Sequence, residues 1–290
     1  MATLEKLFQE SYRPTDQREV VGNYVLGPIL GQGRSSLVRC AVDLKHGQKF
    51  AVKAIARTVG VKGKQLEKQF RQEAEVLMRV RHPHIVTMIE VLETSRYLYV
   101  VMEMVAGRTL RSVLKDRSCF PEEEVRDMTR QITGALHHLH NTAGVVHRDL
   151  KPANIMMCTA TSQLKLIDLG LSSSLSDGQP RGQCGSPVYM APELLRAQQH
   201  GPPVDMWSLG VLVCELLTGQ RPFQPERRSS QLVKNMAAVY SQIIKKACWD
   251  ICHGISISSD GADFLRGLMQ MEESKRLTSQ DAVKHKWLAS

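Results

Sequence analysis

Between residues 149 and 168 the sequence places Asp149, Lys151, Asn154 and Asp168, carried by HRDLKPAN (147–154) and LIDLG (166–170). Moving a phosphoryl group needs an acceptor for the attacking hydroxyl's proton, oxygen ligands for Mg²⁺, and positive charge beside the group in flight. Asp149 suits the first task, Asn154 and Asp168 the second, and Lys151 the third. A polar turn before a buried strand would explain each residue singly, but not their joint order. Upstream, Lys53 lies in the apolar run AVKAI (51–55), where a cation is costly unless matched. Glu73 is the favoured match because it shares a helical face with Leu66, Phe70 and Leu77, with Glu75 the near alternative. A strand lysine held by a helix glutamate can grip the α- and β-phosphates of ATP.

These groups need elements to hold them. Tyr24–Leu30 runs into a glycine turn, and SLVRCAVD (36–43) and KFAVKAI (49–55) read as a strand pair around HGQ. LEKQFRQEAEVLMRV (66–80) reads as a helix ended by HPH (82–84), and IVTMIEVLE (85–93) and YLYVVMEMV (97–105) as two further strands. Beyond AGRT (106–109) the pattern turns helical. PEEEVRDMTRQITGALHHLH (121–140) opens with proline and three glutamates, where a helix dipole favours negative charge. Val125, Met128, Ile132, Leu136 and Leu139 form its apolar stripe. A small β-rich half and a larger helical half predict an α+β chain of two lobes with a cleft between them. The turn GQGRSS (31–36) lacks the third glycine of GxGxxG and precedes a strand rather than a helix, which disfavours a dinucleotide fold. It also lacks the Lys-Ser/Thr of a Walker loop. A hairpin lid fits it better, because glycine lets backbone N–H groups approach phosphate oxygens.

Composition narrows the class. The chain has 290 residues, 42% hydrophobic and 23% charged, in the ordinary range for a globular protein. Its most apolar segment, SLGVLVCELLTG (208–219), is short and carries Glu215, so it reads as a buried helix and not a membrane span. The first residues lack a signal-peptide core and a myristoylation glycine. Seven scattered cysteines suggest reduced thiols in an intracellular compartment, cytoplasmic or nuclear. Cys248, Cys252 and His253 do not make a metal site without a second ligand pair. The formal charge of +9 reads as a basic solvated surface, with steering of an acidic or phosphorylated partner to one face as the alternative; a nucleic-acid-binding motif and basic residues interleaved with aromatics are absent.

Taken in order, GQGRSSLV, AVKAI, HRDLKPAN, IDLG and YMAPE resemble the eukaryotic protein kinase family of serine/threonine type. KHKWL (284–288) and HPHIV are similar to its calcium/calmodulin-dependent group. The resemblance covers residues 24–288 and leaves 1–23 as a short extension. It implies a bilobed fold: a β-sheet N-lobe with helix αC (24–103), a hinge (103–107) and a mainly helical C-lobe (108–288). It implies ATP and Mg²⁺, with Asp149 as catalytic base, Lys151 and Lys53 on the phosphates, and Asn154 and Asp168 on the metal. Leu30, Gly31, Gln32, Gly33, Arg34, Ser35, Ser36, Leu37 and Val38 would cover the nucleotide. Ala51 and Met156 would sandwich adenine with Leu30 and Val38, and Glu103 and Met104 would hold its edge behind a Met102 gatekeeper. Leu77, Met88, His147 and Leu169 match the regulatory spine. Glu193 and Arg276 match a buried structural pair, and Asp205 a brace for the catalytic loop.

The resemblance also points to protein substrates carrying serine or threonine. Relatives that read arginine upstream of the target use carboxylates, one of them directly before the catalytic asparagine. Here that position is Ala153, a second is Thr109, and Glu215 alone remains acidic. A blunted preference for basic residues follows. Gly182 stands where loop-regulated relatives carry a phosphoacceptor, which predicts activity without loop phosphorylation. Arg148 would face the serines at 172–174 and 176 at the wrong spacing, and Ser186 matches a hydroxyl that contacts the catalytic loop. Residues 225–262 match the family poorly. The rival readings are a pseudokinase scaffold, disfavoured by the complete set of catalytic groups, and a small-molecule kinase, disfavoured by the complete APE segment. A regulatory protein partner, calcium dependence and the oligomeric state are left open.

Overall fold

The computed structural model describes residues 19–33, 36–58, 60–224, 232–245 and 257–289. Of the residues named above, Arg34, Ser35, Cys248, Cys252, His253 and most of the 1–23 extension lie outside them, as does much of 225–262. The chain forms two compact units, Met1–Met78 with Thr87–Val105, and Arg79–Val86 with Ala106–Ser290.

The first unit is built on an antiparallel sheet. Its strands are β1 (Val20–Val21), β2 (Tyr24–Gln32), β3 (Leu37–Asp43), β4 (Lys49–Ala56), β5 (Met88–Glu93) and β6 (Tyr97–Glu103), in the spatial order β1-β2-β3-β4-β6-β5. Alternation along the strands sorts the two faces. Phe50, Val52 and Ala54 of β4 join Tyr24, Leu26, Ala41, Tyr99 and Val101 in one buried cluster. Ala51 and Lys53 therefore point to the other face. Register sets Lys53 between Val38 and Val100, and Ala51 between Cys40 and Met102. Helix α1 (Val61–Arg79) follows, burying Phe70, Glu73, Ala74, Val76 and Leu77. It begins five residues before the first residue of the predicted 66–80 helix, taking in the basic approach to it.

The second unit is helical around two small sheets. β7 (Gly107–Thr109) leads into α2 (Leu110–Arg117), capped by the Thr109 hydroxyl, which accepts from Ser112 N at 3.3 Å. Helix α3 (Glu122–His137) has Glu122, Glu123 and Glu124 in its first turn and buries the predicted stripe. It stops three residues short of the predicted end, passing into a wider π turn over His138–Thr142. β8 (Val145–Val146), β9 (Ile155–Cys158), β10 (Leu164–Leu166) and β11 (Ser173–Ser174) form the pairs β7-β9-β10 and β8-β11. Ile85 and Val86, expected in a strand with 88–93, belong here instead: Ile85 bridges to Leu166, and Val86 N donates to Leu166 O at 2.8 Å. Short α4 (Pro192–Leu195) precedes α5 (Pro203–Thr218), buried on nearly every side, as its all-round apolar sequence requires. Gly219 closes α5 at φ 70°, where a Cβ would lie 2.4 Å from Ser118 O. Helices α6 (Leu232–Lys245), α7 (Ser259–Leu268), α8 (Ser279–Ala282) and α9 (Lys286–Ala289) complete the unit. Among the described residues no helix is long and apolar enough to cross a membrane.

Candidate active site

In the first unit the charge-matching argument is met directly. Lys53 Nζ donates to both carboxylate oxygens of Glu73, at 2.6 and 2.8 Å, with the Glu73 side chain only 5% exposed. Glu75 is exposed on another face of α1. The glycine turn joins β2 to β3 through Gly31 opposite Val38 and Gln32 opposite Leu37. Gly33 N donates to Ser36 O at 2.8 Å. Leu30 is exposed, Val38 and Ala51 are partly buried, and Met102 is buried opposite Ala51 on β6. Glu103 is tied to Thr87 twice, its N–H donating to Thr87 O at 2.9 Å and its Oε1 accepting from Thr87 N at 2.8 Å. Met104 follows it, partly buried.

In the second unit Asp149 is held from three directions. Asn154 Nδ2 donates to its Oδ2 at 3.0 Å and to its backbone O at 2.9 Å. Lys151 Nζ lies 2.5 Å from Oδ2 and also donates to Ser186 Oγ at 3.0 Å. Ser186 N donates to Oδ1 at 3.1 Å. Gly185 makes that approach feasible: its φ is 93°, and a Cβ there would meet Arg148 O at 2.5 Å. The backbone bond from Ile167 N to Asn154 O, 3.0 Å, brings Asp168 beside Asn154. Asp168 Oδ1 accepts from Gly170 N at 3.1 Å, and Met156 stands on β9 opposite Lys165.

The catalytic loop is shaped from beneath by Asp205 of α5. Its carboxylate accepts from His147 N and Arg148 N, both at 2.8 Å, and from His140 Nε2 at 2.8 Å. Burial alone would raise its pKa, but the His140 bond, the two imidazoles' positive potential and the His147 amide outweigh that and lower it. These bonds hold Arg148 in a left-handed conformation, φ 66°. The Arg148 guanidinium donates to Leu171 O at 2.7 Å and reaches Ser172 O at 3.5 Å. The half-buried Cys184 thiol is pushed up by burial, with Arg148 pulling the other way.

A family model described as the protein kinase domain matches residues 24–288. The chain belongs to the protein kinase family. Its relatives place it with the serine/threonine type. It is 36% identical to the mouse (Mus musculus) hormonally up-regulated neu tumor-associated kinase, over 97% of this chain and 38% of that protein. The Xenopus tropicalis homolog of that kinase is 35% identical over 99% of this chain and 40% of its own length. A calcium/calmodulin-dependent protein kinase type 1 of Macrobrachium nipponense is 34% identical over 93% and 76%. The chain thus spans about two fifths of the length of the first two relatives.

Other positions of this kinase domain find clear surroundings. Arg276 binds Glu193 through two nitrogens at 2.6 and 3.1 Å, and stacks over Trp207 at 5.3 Å. Leu77 and Met88 are buried in the first unit, and His147 and Leu169 in the second. Ala153 presents only a methyl group, and the Thr109 hydroxyl is spent on its helix cap. His140 was not anticipated from the sequence. It sits on the π turn, whose extra width carries it inward to Asp205, and nothing in its surrounding letters marks it.

Proposed function

We propose that the domain spanning 24–288 transfers the γ-phosphate of ATP to serine or threonine hydroxyls of protein substrates. Asp149 accepts the hydroxyl's proton: its carboxylate is fixed by Asn154, Lys151 and Ser186 N, so it is aimed before substrate arrives. Lys151 is near enough to neutralise charge developing on the transferred group. Lys53, fixed by Glu73, grips the α- and β-phosphates, and the paired backbone of Gly31, Gln32, Leu37 and Val38 covers them. Glu103 and Met104 would hold the edge of adenine, with Leu30, Val38 and Ala51 of the same unit against its face.

The family uses ATP with Mg²⁺. The residues fit that ion: Asn154 uses its amide nitrogen on Asp149, leaving the amide oxygen as donor beside the Asp168 carboxylate, an all-oxygen pair. Mg²⁺ would supply charge neutralisation across the phosphate oxygens. Arg148 donates to the Leu171 and Ser172 carbonyls, so the loop's own backbone engages the guanidinium, which supports activity before any loop phosphorylation. We place the protein in a reducing intracellular compartment: five cysteines among the described residues are free thiols.

The observation that carries the reading is the three-sided fixation of Asp149. The test is transfer from ATP and Mg²⁺ to a generic protein acceptor, using phosphatase-treated protein and Asp149→Asn. Transfer should fall about 10³-fold in the variant while nucleotide binding persists. Equal transfer by both proteins, or none by either with nucleotide bound, would overturn the assignment.

A further inference from the structure

The same helical unit carries a second carboxylate with unusual company. Glu215, on α5, accepts a hydrogen bond from the Tyr189 hydroxyl, and its side chain is 16% exposed. Tyr189 is three residues beyond Ser186, whose N–H and Oγ touch Asp149 and Lys151. Ser208 Oγ on α5 pins the intervening turn by donating to Tyr189 O at 2.8 Å. Glu215 therefore lies a tyrosine's length from the segment that seats the attacking hydroxyl. An extended peptide advances about 3.3 Å per residue, so a few residues match the short stretch from Ser186 to Tyr189 that links Asp149 to Glu215.

What the peptide would meet there is not a bare carboxylate. Arg221 Nε stands 3.9 Å from Glu215 Oε1, with its own side chain 36% exposed. Arg221 is not adrift. Phe223, two residues on, is fully buried and stacks on Trp207 at 6.0 Å, while Gln224 Nε2 donates to Arg221 O at 3.0 Å. On the opposite side Gln220 N donates to the Thr218 hydroxyl at 3.1 Å. Arg221 is thus the more exposed member of the pair, and the charge facing outward beside the partly sequestered glutamate is positive. An incoming arginine would have to displace Arg221. An incoming anion would find the Arg221 guanidinium beside Glu215 but not hydrogen-bonded to it, with donors open to a carboxylate or phosphate.

We propose that Arg221, paired with Glu215, forms a substrate subsite selective for an anionic side chain, carboxylate or phosphorylated residue, within a few positions of the acceptor. This rests on the kinase reading above and goes further than a blunted preference for basic residues, giving a reversed one. Arg221 is the specificity-determining residue, and Glu215 positions it.

The test uses the full chain and serine peptides that differ at one position, up to four residues either side of the acceptor. Each position carries Ala, Arg, Glu or phosphoserine. Peptide binding by fluorescence anisotropy and kcat/KM for transfer are both measured, for wild type, Arg221→Ala and Arg221→Ala/Glu215→Gln. At one or two adjacent positions, Glu or phosphoserine should exceed Arg by about tenfold, mainly through KM. A larger gain with phosphoserine than Glu assigns the subsite to phosphorylated substrates; equal gains assign it to carboxylates. Arg221→Ala should invert the preference at that position, because Glu215 is then free for a substrate arginine. Adding Glu215→Gln should remove the gained arginine preference, a result that mere loosening of the loop would not give. Wild-type selection for arginine, or a ranking unmoved by Arg221→Ala, overturns the inference and leaves the kinase reading intact. Anion-selective binding without transfer overturns the kinase reading alone; absence of both overturns both.

Discussion

Two glutamate–arginine pairs lie in the same helical unit and differ in almost everything but their names. Glu193 and Arg276 meet at 2.6 Å with side chains 8% and 0% exposed, and Arg276 spends its remaining donors on the Pro203 and Gln270 carbonyls. Glu215 and Arg221 stand 3.9 Å apart at 16% and 36% exposure, and the arginine makes no hydrogen bond to the glutamate. The first pair is closed: every donor is used, water is excluded, and neither charge can serve anything else. The second is open, so its charges remain available to an arriving chain. Distance and burial, not residue type, separate an architectural ion pair from one suited to recognition.

That contrast can be broken experimentally. Arg276→Ala leaves Glu193 buried without its partner and should cost about 3–5 kcal/mol in a denaturant titration. A loss below about 1 kcal/mol would show that water reaches the site and that the pair is not closed. If burial is the deciding variable, it should also act on a charge with no counter-charge. His82 provides that case: burial first, then the neighbouring His138, His84 and Lys165, depress its pKa to about 4. A depressed histidine favours the neutral form in the folded state, so its contribution is present above pH 6.5. It is lost as pH falls from there towards 4, where the unfolded chain binds the proton more readily. His82→Gln should flatten the fall in unfolding free energy across that window; an unchanged slope would refute it. The smallest effect is expected at the open pair, where Arg221→Ala should move stability by less than about 1 kcal/mol. A loss comparable with that of Arg276→Ala would make the two pairs alike and remove the contrast.

What the sequence disclosed follows the same physics. Lys53 was legible because a cation within an apolar strand demands a partner, and helical spacing put Glu73 on the right face. Asp149, Asn154 and Asp168 were legible because their chemistry is meaningless singly. His140 was not, because its inward turn depends on a change of helical register that leaves no mark in composition. Nor was the division of IVTMIEVLE, an apolar run that reads as one strand while Ile85 and Val86 pair with Leu166 in the other unit. Arg221 was invisible for another reason. Its meaning lies in its distance to Glu215, six residues away around the end of a helix.

Asp205 carries a consequence for how the protein comes into being. The His147 and Arg148 amides that shape the catalytic loop are satisfied by a carboxylate lying 57 residues or more downstream, on a helix that follows the whole activation segment. A nascent chain that reached only as far as residue 200 would hold every letter of the loop but not the carboxylate that fixes its form. Competence during synthesis must therefore arrive late and all at once, when α5 leaves the ribosome and folds beneath a loop long since made.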